Sequence, residues 1–109
     1  MDENNKLVLV YTTYPSASAA QSVAKVLVKE RLAACVNVLP EMTAVYEWDG
    51  QLHEDQEAVC IVKTRAELSA QVMAAIKNDH PYDNPALLVL PVLSSGETYT
   101  AWVLEQTAR

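Results

Sequence analysis

The sequence predicts a single α+β domain over residues 1–109, and three observations predict it. Two nearly continuous apolar runs, Leu7 to Thr12 and Ala86 to Leu90, read as strands near the two ends of the chain. Two stretches carry apolar residues at helical spacing. Between those stretches, Ala34 to Thr64 reads as one long β-hairpin. The order is therefore β-α-β-β-α-β with a further helix at the end, the split βαβ or ferredoxin-like arrangement. Both main helices would then cover one face of a four-stranded antiparallel sheet.

Residues 1–6 are mostly polar and read as a frayed start. Leu7-Val8-Leu9-Val10-Tyr11-Thr12 reads as a strand buried on both faces. Tyr14-Pro15-Ser16 turns the chain, and Ser18 followed by Gln21 makes a capping-box signature for a helix start. Ala20, Val23, Ala24, Leu27 and Val28 form the apolar face of that helix. Lys29 and Arg31 close it in keeping with the helix dipole.

The hairpin is signalled by Asp49-Gly50, because a type I′ turn needs φ > 0 at both central positions. Each arm runs well past the typical strand of about 5–6 residues. A hairpin that long outruns a sheet made from so short a chain, so its tip, with Tyr46 and Trp48, is expected to pack outside its own subunit. Pairing Trp48 with Gln51 sets Cys60 opposite Leu39 and Cys35 opposite Thr64, unless a bulge near Pro40 changes the register. Four residues of offset is roughly 13 Å along a strand. A disulfide needs Cα atoms within about 7 Å, so none is expected within the chain.

After the hairpin, Thr64 and Glu67 form a second capping box, and Leu68, Val72, Ala75 and Ile76 mark one helix face. This helix is expected to end at Asn78-Asp79, because His80 precedes Pro81 and leaves the α region. Ala86 to Leu90 is again apolar throughout and is stopped by Pro91. Ser94-Ser95-Gly96 is a turn, and Thr98 to Gln106 reads as a short helix with Tyr99, Trp102 and Val103 on one side. The strands read apolar on both sides while helices cover only one, so a homo-oligomer that buries the open faces is the simplest solution.

Composition narrows the function. The net charge is −6, from 8 basic and 14 acidic residues, which argues against nucleic acid and against anionic membrane surfaces. It permits attraction of metal cations. Nothing approaches the ~20 apolar residues of a membrane span, and no secretory signal pattern is visible. Two cysteines suit a reducing compartment, so a cytoplasmic location is expected.

The matching stretches Glu30-Arg31-Leu32-Ala33-Ala34-Cys35-Val36-Asn37, Tyr46-x-Trp48-x-Gly50, Glu57 and Lys63-Thr64 occur in order. They continue with His80-Pro81-Tyr82, Pro85, Pro91-Val92 and Tyr99-x-x-Trp102. The ordered set, over roughly residues 7 to 104, resembles the CutA divalent-cation-tolerance proteins. That resemblance implies a ferredoxin-like subunit in a tight homotrimer whose long hairpins engage neighbouring subunits. It implies binding of copper(II) or another divalent metal and a role in metal tolerance. The fold and trimer it implies are similar to those of PII signalling proteins, which bind small effectors at subunit clefts. A PII-like signalling or scaffold module is therefore the alternative reading.

Metal binding in the family is associated with the His of His-Pro-Tyr, here His80, and with cysteines, of which Cys35 matches. Some members carry a Cys near the end of the first strand; this chain has Tyr11 there and lacks that soft ligand. Imidazole suits copper, zinc or nickel; the plain alternative is a helix C-terminal His meeting the dipole. Cys35 and Cys60 lie in apolar strand segments with no C-x-x-C spacing, where core packing is the plain reading. His53, Asp55 and Glu57 alternate and would share a strand face, either as a weak metal patch or as charges that blunt an edge. Tyr46, Trp48, Tyr82, Tyr99 and Trp102, with Lys63, are candidate subunit-interface or cleft residues. No base is placed beside a Ser or Cys by the sequence, so an enzyme is not expected.

Overall fold

A computed structural model describes residues 7–109; the frayed start expected for residues 1–6 lies outside them. Strand β1 (Leu7–Tyr14) is followed by helix α1 (Ala17–Lys29), then strands β2 (Cys35–Trp48) and β3 (Gln51–Arg65). Helix α2 (Ser69–Asp79), strand β4 (Leu88–Pro91) and helix α3 (Glu97–Gln106) complete the chain. The sheet is antiparallel in the order β2-β3-β1-β4, the ferredoxin-like order the sequence predicts.

Alternation along β1 and β3 separates two faces. Val10, Tyr14, Ala58, Cys60 and Val62 point toward α1 and α2 and form the core with Leu27, Val72 and Ile76. The opposite face carries Leu9, Tyr11 and Ile61, with Leu39, Leu88 and Leu90 strongly exposed on the outer strands. Helix α3 covers only one end of that face: its Val103 is buried against Leu7 and Ala34.

Both capping expectations need correction. Ser16, extended after Pro15, is the cap of α1, and its hydroxyl accepts the Ala19 N–H at 3.2 Å. Ser18 already lies inside the helix, where its carbonyl accepts from the Ser22 hydroxyl. Thr64 does not cap α2. It stays in the sheet opposite Val8, fully buried, and its hydroxyl donates to the Leu32 carbonyl at 2.6 Å. The helix instead starts through a short 3₁₀ turn, Ala66–Leu68.

At the end of α1, Arg31 sits at φ 62, and the Arg31 and Leu32 N–H groups donate back to the Val28 and Leu27 carbonyls. This is a Schellman ending with arginine where glycine is usual, at a conformational cost of roughly 1 kcal/mol. The guanidinium offsets part of that by donating to the Glu105 carbonyl at 2.8 Å, which ties α1 to α3.

The hairpin arms are 14 and 15 residues long, with Asp49 at φ 55 and Gly50 at φ 78 in the expected turn. Trp48 pairs with Gln51. A bulge between Leu39 and Met42 then shifts the register, so Cys60 faces Val38 and Cys35 faces Lys63, each one residue from the unbulged pairing. An offset of three residues places the cysteines on opposite faces of the sheet, and both are free. The expected buried strand Ala86–Leu90 is also corrected. It starts at Leu88, includes Pro91 and is exposed along its length, because it is an edge strand whose open face no helix covers.

Candidate functional site

A cleft of about 810 Å³ lies between the distal half of the hairpin and the loop after α2. Its walls include Tyr46, Trp48, Asp55, Glu57, Tyr82 and Asp83, and among the described residues no Lys, Arg or His lines it. The hairpin positions the first four. Tyr46 opposes His53 in the ladder and lies diagonal to Asp55, so its hydroxyl donates to the Asp55 carboxylate at 2.5 Å. That hydrogen bond, more than burial, pushes the Tyr46 phenol up to about 12. The His53 ring stacks on Tyr46 with centroids 5.2 Å apart. His53, Asp55 and Glu57 thus share one strand face, as the alternation predicts. Burial raises the Tyr82 phenol, and Glu57 and Asp55 add to it.

His80 stands behind this cleft. Helix α2 ends at Asp79, and Pro81 holds His80 extended at φ −79, ψ 136. Strand β4 pairs with β1 only as far as Tyr11, and the His80 ring reaches the Thr13 carbonyl beyond that point. Nδ1 accepts the Tyr82 N–H at 3.1 Å, so Nε2 carries the proton and donates to the Thr13 carbonyl at 2.7 Å. The ring stacks on Tyr14 at 4.3 Å and touches Tyr82 at 4.8 Å. His80 is therefore locked by its neighbours and fixes the start of the loop that carries Tyr82 and Asp83.

Cys35 lies elsewhere. It opposes Lys63, while Thr13 opposes Val59, four residues or roughly 13 Å along β3. Its thiol is half-buried on the open face, with the Asn37 amide 3.8 Å away. Cys60 is fully buried on the helix face, where desolvation pushes its thiol up to about 11 and it donates to the Ala20 carbonyl. Among the described residues, no three His, Cys, Asp or Glu side chains come together as a ready cation cage.

The interface or cleft candidates fall into two groups. Tyr46, Trp48 and Tyr82 line the acidic cleft. Lys63, Tyr99 and Trp102 gather at α3, with the Lys63 ammonium 5.7 Å from the Tyr99 ring centroid and Tyr99 5.7 Å from Trp102. Sequence reasoning missed four participants: Tyr14 as the platform under His80, the Thr13 carbonyl, and Glu47 and Asp83 as carboxylates beside Asp55 and Glu57. All four depend on tertiary placement, and only the nearness in the chain of Asp83 to His80 and of Glu47 to Tyr46 offered a signal.

The profile of the CutA1 family, described as CutA1 divalent ion tolerance protein, matches residues 8–106. The chain is 43% identical to the divalent-cation tolerance protein CutA of Pyrococcus horikoshii, over 94% of this chain and all of that protein. The crystal structure of CutA1 from Oryza sativa superposes with a TM-score of 0.92 at 33% identity, covering 98% of each chain. The periplasmic divalent cation tolerance protein CutA from Archaeoglobus fulgidus superposes with a TM-score of 0.90 at 31% identity, over 94% of this chain and 99% of that one.

Proposed function

The chain belongs to the CutA1 family of divalent ion tolerance proteins, and from that premise we propose a cytoplasmic homotrimer that binds divalent cations, copper(II) foremost. The setting of His80 carries the cation reading. A metal-binding imidazole characteristically gives its other ring N–H to a carbonyl or carboxylate, which fixes the tautomer and the ring. Nε2–H of His80 is held in this way by Thr13, which makes Nδ1 the ligand nitrogen. A cation takes the place of the Tyr82 N–H at Nδ1, so binding and a shift of the 80–86 loop go together. Glu47, Asp55, Glu57 and Asp83 supply the negative field that draws cations to the neighbouring cleft. Imidazole with carboxylates favours copper over magnesium or calcium.

Cys35 is a separate and softer position on the open face, reached by cations only where subunits meet. The trimer is supported by that uncovered face and by the projecting hairpin. The chain measures 46 × 26 × 22 Å, with a radius of gyration of 14.7 Å against about 13 Å for a compact domain of this size. Catalysis forms no part of the proposal. The aromatic walls Tyr46, Trp48 and Tyr82 favour one second reading, a PII-like module that takes a small effector in the same cleft.

The test is a copper(II) titration against a competing chelator, on reduced wild-type protein and on His80→Ala. Saturable binding that weakens at least tenfold in the variant is expected, about 1.4 kcal/mol. Unchanged binding in a folded variant would remove His80, and no binding in either would leave the effector reading.

A further inference from the structure

Two clusters on the open face of the sheet carry opposite charge and cannot meet within one chain. Lys63 continues the alternation of β3 through Ile61 to Glu57 and Asp55, so all four side chains leave the same face. At one end of that face the Lys63 ammonium lies 5.7 Å from the Tyr99 ring centroid, and Tyr99 lies 5.7 Å from Trp102. Both rings are exposed, and among the described residues no carboxylate lies within ion-pair distance of the ammonium. At the other end Asp55, Glu57 and Asp83 stand with Tyr46 and Trp48, and among the described residues no cation lines the cleft they form. Six positions of extended strand, roughly 20 Å, separate Lys63 from Glu57, and eight, roughly 27 Å, separate it from Asp55. A lysine side chain cannot span either distance.

A three-membered ring is closed by a heterologous contact, in which one patch of each subunit meets a different patch of the next. On the premise of the proposed trimer, we infer that these two clusters are those patches. The partner subunit's Lys63 enters the acidic hairpin cleft and sets its ammonium against Asp55 and Glu57, with the partner subunit's Tyr99 and Trp102 beside Tyr46 and Trp48. The projecting hairpin of a chain 46 Å long supplies the reach. Charge decides the pairing. Cleft against cleft sets carboxylates against carboxylates, and a lysine covered by an apolar surface is a buried cation without a partner, which is costly. The cleft is thereby a composite of two subunits, and the cation that has no anion in one chain finds it in the next. One ammonium leaves the cleft acidic, so its pull on cations persists.

Carbodiimide cross-linking tests this on the intact assembled protein, because the reagent joins an amine to a carboxylate only where the two touch. Peptide mass spectrometry is expected to find Lys63 joined to Asp55 or Glu57, a link that the strand spacing forbids within one chain. Lys63→Glu and Glu57→Lys are each expected to raise at least tenfold the protein concentration of half-dissociation, measured by light scattering in fixed urea. The two substitutions in one chain are expected to restore most of that loss. An assembled trimer without the link, or a double variant no better than the single ones, would overturn the proposal. If the variants do not fold, the link in the wild-type protein decides it alone. A wild-type species of 12.0 kDa would instead remove the trimer, and this contact with it.

Discussion

At the scale of the residue, burial and hydrogen bonding decide which side chains are available for chemistry. Cys60 is fully buried, and its thiol is held near 11 against an ordinary 9.0. The folded state therefore keeps the proton that the unfolded chain gives up. The stability this represents is intact below about pH 9 and is lost as pH rises through about 11, and it amounts to no more than ~3 kcal/mol. Burial of Tyr14 acts in the same direction. Urea unfolding midpoints are thus expected to hold from pH 7 to 8.5 and to fall by pH 10.5, with a shallower fall in Cys60→Ala. A midpoint that rises over that range would contradict the assignment. Thr64 teaches a related lesson: a residue that looks like a helix cap is claimed instead by a buried carbonyl, that of Leu32.

At the scale of the element, the long hairpin shows what a sequence can disclose. The turn is legible because Asp49 and Gly50 must both take φ > 0, and the apolar runs of β1, α1 and α2 are legible because each buries a face with its own period. At Gly50 an added Cβ meets nothing within 4 Å, so the cost of Gly50→Ala is the backbone strain of placing an L side chain at φ 78. A cost of about 1 kcal/mol is expected in thermal or urea unfolding. A neutral result would mean that the turn relaxes into another type. The bulge at Pro40 and Glu41 was legible only as a possibility, since the register depends on which face of β3 the proximal arm must bury. The exposure of β4 was not legible. Its apolar run reads as interior, and only the tertiary structure shows it on an edge that one chain leaves uncovered. His80 was legible as a residue held out of the helix by Pro81, but its lock on Thr13 and Tyr14 was not, because those partners lie about 67 positions away.

At the scale of the whole molecule, the single chain looks unfinished. Leu39, Leu88, Leu90, Val45, Trp48 and Leu52 are all strongly exposed, along the open face and out to the hairpin tip. An apolar surface of that extent marks an interface. The proposed trimer would bury it in closed symmetry without an open edge, each hairpin set against a neighbour. The acidic cleft and Cys35 both adjoin this surface, so in the proposed trimer assembly would govern access to each of them. The most direct test is the molar mass by light scattering from 1 to 100 micromolar. A trimer of about 36 kDa, three times the 12.0 kDa chain, is expected to persist at the lowest concentration. A folded species of 12.0 kDa across that range would contradict it, and the exposed face would then need another partner.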